Sequence, residues 1–105
     1  MKTIKIQLEY RCYPVWIYDS EGFVDDNALP QELAGDAELD RKFKSIQDRY
    51  DATFVDTPMD FYHKGFETQE AERIFMSDLE NAIADLSEKC SGMYSIEISP
   101  SLFED

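Results

Sequence analysis

The spacing between apolar residues most restricts the folds open to this chain. It begins at two. Ile4, Ile6, Leu8 and Tyr10 fall on one side of a segment over residues 3–10, with Lys5, Gln7 and Glu9 on the other. That alternation is the pattern of a half-buried strand. The spacing then moves to three and four. Leu39, Phe43, Ile46, Tyr50 and Phe54 form one helical stripe, and Ala71, Ile74, Phe75, Leu79, Ala82, Ile83 and Leu86 form a second. It returns to two at Tyr94, Ile96 and Ile98. Strands at both ends with two amphipathic helices between them call for a sheet covered by those helices. The expected fold is α+β: a mostly antiparallel sheet of four to five strands with two helices packed on one face, forming a single domain over residues 1–105.

Turn and cap residues set the boundaries. Tyr13-Pro14-Val15-Trp16-Ile17-Tyr18 is a second strand-forming run, with Pro14 at its start or on an edge because proline donates no ladder hydrogen bond. Asp19-Ser20-Glu21-Gly22 reads as a hairpin turn, and Phe23 and Val24 begin the return strand. Leu29-Pro30-Gln31-Glu32-Leu33 reads as a linker holding one short helical turn, with Pro30 at its first position. Asp36 and Thr68 are suited to cap the two long helices. Pro58 blocks continuation of the first, and Gly92 stops the second. Residues 59–66, with Phe61, Tyr62 and Phe66, form a candidate short strand closed by Gly65, and Pro100 ends the last strand.

Charge limits the function classes. Asp and Glu number 23 against 10 Lys and Arg, a net charge of -13, in a chain too rich in apolar residues to be disordered. Self-repulsion at that charge costs stability, so solubility or a basic partner has to favour it. The acids are unevenly placed. Residues 19–40 hold eight acids and no Lys or Arg, whereas residues 41–53 hold Arg41, Lys42, Lys44 and Arg49 against two acids. A second acidic concentration covers the second helix and the tail. Direct nucleic-acid binding is disfavoured, because neutralising phosphates needs a basic face. No run approaches the roughly 20 apolar residues of a membrane span. The N-terminus lacks the apolar core of a signal peptide, so the expected location is the cytoplasm, with Cys12 and Cys90 reduced and packed rather than bridged.

A search for catalytic or metal chemistry finds little. His63 is the only histidine and has no nucleophile at a readable spacing; a Cys12–His63 pair has no support in the sequence. Four zinc ligands are absent. The run from Asp19 to Asn27 fails the EF-hand template, because Gly22 comes too early and Phe23 takes a ligand position. No phosphate loop or nucleophile elbow is present. The expectation is a protein that is not an enzyme, with no catalytic residues, no metal and no cofactor.

The acidic block offers an interface instead. Asp19, Glu21, Asp25, Asp26, Glu32, Asp36, Glu38 and Asp40 lie in turns, linker and the start of the first helix, and Trp16 sits beside them with Tyr18 and Phe23. Aromatic anchors with a charged rim make a protein-binding surface. The same aromatics are equally accounted for as core, with the acids as a solvated face.

Five pieces then resemble a family. Glu9-Tyr10, Cys12-Tyr13-Pro14-Val15-Trp16, Leu29-Pro30-Gln31-Glu32-Leu33, Lys64-Gly65-Phe66 and the terminal Tyr94-x-Ile96-x-Ile98 strand are similar in style to small acidic immunity proteins of bacterial toxin–immunity pairs, including contact-dependent systems. The resemblance implies a cytoplasmic protein that binds one cognate toxin domain, often a basic nuclease, and blocks it. It carries no site residue over, so the eight acids and Trp16 rest on charge and position alone. The alternatives are a nucleic-acid mimic inhibiting a DNA- or RNA-handling enzyme, a small adaptor, and a small hydrolase or isomerase. Monomer and homodimer are both open.

Overall fold

A computed structural model describes residues 1–99 of the chain. Pro100 and the acids of the tail lie outside the described residues. Six strands and two long helices follow in the order β1 (Thr3–Ile6), β2 (Val15–Tyr18), β3 (Val24–Asp26), α1 (Ala37–Asp51), β4 (Phe54–Asp56), β5 (Phe61–His63), α2 (Gln69–Lys89) and β6 (Ser95–Ile98), with a single 3-10 turn at Gln31–Leu33. The α+β class is as expected. The sheet differs. β3-β2-β1-β6 form one four-stranded sheet, β4 and β5 form a separate two-stranded one, and the β1–β6 pair is parallel. The larger sheet is therefore mixed. Parallel neighbours need a long crossover, and here the crossover contains both helices. After α2 the chain returns to the end where β1 begins, and Ser95 N donates to Lys2 O at 3.1 Å.

Register explains which residues form the core. Ile17, Ile4 and Ile96 lie side by side across three strands, and Val15, Ile6 and Ile98 form the next row. Ile4, Ile6, Val15 and Ile17 are buried in one cluster with Leu39, Phe43 and Ile46 of α1 and with Phe75, Leu79, Ala82, Ile83 and Leu86 of α2. The intervening rows, Trp16–Lys5–Glu97 and Tyr18–Thr3–Ser95, form the other face of the sheet and stay partly or fully exposed. The two faces differ as period-two patterning requires. β1 is shorter than its alternation implies: the strand ends at Ile6, and Leu8 and Tyr10 continue into the loop, packed against the core and against β4–β5 respectively.

Both helix starts are capped as the sequence requires. Asp36 Oδ1 accepts from Leu39 N at 3.0 Å, and Thr68 Oγ1 accepts from Ala71 N at 2.9 Å. The first helix ends earlier than its stripe. Thr53 bends the chain back, its N–H and its hydroxyl both donating to Tyr50 O at 3.0 and 2.6 Å. Phe54 and Val55 then enter β4, as aromatic and β-branched residues favour. Phe54 still meets the ring of Tyr50 at 5.3 Å, so its spacing mimics one more helical turn. Pro30 caps the 3-10 turn from just outside it instead of taking its first position. In α2, Ala71 and Ile74 are exposed and leave the stripe.

Candidate interaction surfaces

The acidic block of residues 19–40 forms the start of this surface, and several of its carboxylates hold the fold. Asp19 Oδ1 accepts from Glu21 N and Phe23 N at 2.9 and 3.0 Å, closing the β2–β3 turn with Gly22 at φ +91°. Asp25 accepts from Lys2 Nζ at 2.6 Å, and Glu32 accepts from the Tyr94 hydroxyl at 2.9 Å. Asp36 caps α1 and also pairs with Lys89 at the end of α2. Asp40 accepts from the Tyr13 hydroxyl at 2.9 Å and pairs with Lys44 at 3.2 Å. Asp26 Oδ1 caps Asn27 N at 2.8 Å. Glu21 and Glu38 are exposed, and among the described residues their carboxylates make no side-chain hydrogen bond or ion pair.

Lys2 and Tyr94 gather part of this block. The Lys2 ammonium is held above its usual range by its hydrogen bond and charge interaction with Asp25, with Tyr94 and Asp19 adding smaller effects. Burial, then the Glu32 hydrogen bond, pushes the Tyr94 hydroxyl up. Asp19, Asp25 and Glu32 thus surround one end of the sheet. The antiparallel helix pair extends this acidic end to Asp36. Asp40 lies a turn further along α1, and Glu38 borders an open groove of about 500 Å³ between the helices. Trp16 is half-buried on the exposed sheet face. Its indole N–H already donates to Gln7 O at 3.0 Å, so only its ring is available to a partner.

The basic stretch of α1 is largely neutralised. Lys42 pairs with Asp85 at 3.3 Å and Arg49 with Asp78 at 2.8 Å, along the groove that Arg41 also borders. Cations interrupting the carboxylates disfavour a surface that imitates a run of phosphates. Among the described residues, eight of the ten Lys and Arg side chains are in ion pairs.

Cys12 and His63 share no hydrogen bond. Cys12 Sγ lies 4.0 Å from Glu9 Oε2, and burial with the charges of Glu9 and Asp51 pushes its thiol up, against thiolate formation. His63 packs its ring 4.8 Å from that of Phe54. Cys90 is fully buried, its Sγ donating to Leu86 O at 2.9 Å, and both cysteines are free. No group of three or more potential metal ligands occurs among the described residues, and no helix there is long and apolar enough to cross a membrane.

Two features escape a sequence reading. Asn27 joins the linker to the start of β2: its Oδ1 accepts from Tyr13 N at 2.9 Å, and its Nδ2 donates to Tyr13 O and Val15 O at 2.6 and 2.9 Å. Nothing local marks which backbone, 12–14 residues earlier, it will meet. The other is the β4–β5 hairpin, where Met59, Phe61 and Tyr62 are exposed. Their aromatic and apolar character is legible, but their outward placement is not.

The fold and its surfaces therefore define a small α+β protein with a carboxylate-rich end and an exposed aromatic hairpin. The sequence profile of the Serratia CdiI immunity protein-like family matches residues 2–101, and the chain belongs to this family of contact-dependent inhibition immunity proteins. No curated protein is significantly similar to it.

Proposed function

We propose that the chain acts as one domain, in the cytoplasm, as a non-catalytic inhibitor that binds a cognate toxin and blocks it. The partner is a basic, nuclease-type toxin domain, and the docking charges come from Asp19, Glu21, Asp25, Asp26, Glu32, Asp36, Glu38 and Asp40 beside Trp16. Family membership is the observation that carries the toxin-binding reading. The basic partner is supported by the charge balance, in which most cations are already paired within the molecule and the carboxylates remain in excess. Such a surface attracts a cationic protein and raises its association rate.

The test is calorimetric titration against the purified product of the adjacent upstream gene, with growth rescue on co-expression. Absence of both binding and rescue removes the reading. Glu21→Lys and Glu38→Lys are the variants best suited to probe the charge, because reversing Asp25 or Glu32 would also break the contacts of Lys2 and Tyr94. Slower association at low salt, with an unchanged melting temperature, is the expected result. An unchanged rate would remove residues 19–40 from the encounter with the partner.

A further inference from the structure

The connection between the helices is longer than joining them requires. α1 ends at Asp51 and α2 begins at Gln69, leaving residues 52–68 between two helices packed antiparallel. Neighbouring antiparallel helices usually need about 2–8 residues. This connection instead builds the β4–β5 hairpin, whose loop is Pro58-Met59. Thr57 and Asp60 exchange both backbone hydrogen bonds across that loop. Isolated two-stranded hairpins are at best marginally stable in water, yet this one is held firmly. At its base, Thr53 O accepts from both Lys64 N and Gly65 N at 2.8 and 3.1 Å. Along one face, Phe54 and Phe61 stack at 5.6 Å, and Tyr10 meets both rings at 4.8 and 5.1 Å. The Tyr10 hydroxyl donates to Asp56 at 3.0 Å. Arg11, next to it, takes the left-handed conformation at φ +60° and donates its N–H to Asp51. For a residue other than glycine that backbone is strained and persists only where surrounding contacts impose it.

What the clamp presents outward is apolar. Met59 is 89% exposed, Phe61 57% and Tyr62 55%, three large side chains within four residues. Asp56, already paired with Arg11 at 3.4 Å, and Asp60 lie beside them, and Glu67 follows the hairpin. Grouped exposed apolar side chains mark an interaction site more often than single ones do. A rigid apolar centre within a charged rim is the arrangement of an energetic hot spot, since little ordering entropy is lost on binding.

We propose that the β4–β5 hairpin is the anchor by which this chain grips its toxin: Met59 and Tyr62 enter an apolar pocket on the partner, and Asp56 and Asp60 face Lys or Arg side chains around it. This rests on the toxin-binding reading above and goes beyond it by naming a surface outside residues 19–40. The hairpin governs how slowly the complex dissociates. The carboxylates of residues 19–40 govern how fast it forms.

The experiment measures association and dissociation rates against the purified product of the adjacent upstream gene, by biolayer interferometry. The variants are Met59→Ser, Tyr62→Ser, the double variant, and Ile74→Ser as an exposed apolar control on α2. The double variant is expected to dissociate about tenfold faster or more, with association changed less than about twofold. Ile74→Ser is expected to match the wild type. Met59→Ser alone keeps the test independent of folding, because this side chain is almost wholly in solvent. Dissociation of the double variant at the wild-type rate overturns the inference and leaves the function standing. Equal weakening by Ile74→Ser overturns it as well. So does loss of a wild-type dimer in the double variant by sedimentation, which would assign the patch to a second copy of the chain. Failure of the wild type to bind overturns both readings and is distinguished by that alone.

Discussion

Replacing Asn27 with Ala removes three hydrogen bonds that tie the linker after β3 to the start of β2. Each bond contributes about 0.5–1.5 kcal/mol net. The site is part-buried, so water can replace some of them, and the total loss is about 2–3 kcal/mol by the same reckoning. For a chain of this length that corresponds to a fall in melting temperature of roughly 8–20 °C. Asn27→Asp is the sharper variant. It keeps an acceptor for Tyr13 N but turns a carboxylate oxygen toward Tyr13 O and Val15 O, where the amide donated. It is expected to destabilise at least as much as Ala, although it changes only one atom and a charge. Urea unfolding followed by far-UV circular dichroism measures both. A loss under about 0.5 kcal/mol for either variant would refute the reasoning, because a satisfied three-bond bridge cannot be removed at so small a cost.

Other outcomes follow from the core, the caps and the titrating groups. Phe43 is fully buried, so Phe43→Ala is expected to cost about 3–5 kcal/mol in urea unfolding. Thr68→Ala is expected to cost about 1 kcal/mol, whereas Thr68→Ser, which keeps the capping hydroxyl, should stay close to wild type. The Lys89 hydrogen bond, then the Leu39 N–H, holds the Asp36 carboxyl below its usual range. A depressed carboxyl stabilises the fold above its unfolded value, about 3.9, and that stability is lost as pH falls through the folded value. Asp36→Asn is thus expected to lower the urea midpoint at pH 7 and to flatten its decline as pH falls below about 4.

How far the sequence can be read depends on whether a feature is local. Both helix caps lie beside the stripes they start, and the Asp19–Gly22 turn lies between its own strands, so each was legible. The position of β6 was not. Alternation at Tyr94, Ile96 and Ile98 marks a strand but carries no direction, and the parallel pairing with β1 follows from where α2 delivers the chain. Phe54 shows the converse: its contact with Tyr50 survives in β4, so a helical spacing persisted where the helix had ended. In the acidic block, charge was legible and role was not. Asp19 and Asp36 cap backbone, Asp25 and Glu32 hold Lys2 and Tyr94, and nothing near Glu21 or Glu38 in the sequence distinguishes them from these.

The separation of the two surfaces is what lets their roles differ. The helices run antiparallel, with Asp36 meeting Lys89 at one end and Arg49 meeting Asp78 toward the other. The β2–β3 turn, Lys2 and Asp36 therefore lie at the first end, and the β4–β5 hairpin, which follows α1, lies at the second. The molecule is 42 Å along its longest axis, whereas charges are screened over about 8 Å at physiological salt. A carboxylate farther than that screening length from a partner seated on the hairpin contributes little to the bound complex. Its field reaches a partner only during approach and at low salt. Asp56 and Asp60, beside the apolar tip, are within reach at any salt concentration. On the proposed reading, a protein this acidic therefore holds its partner with the few carboxylates that flank an apolar contact, while the larger distant group acts on the encounter.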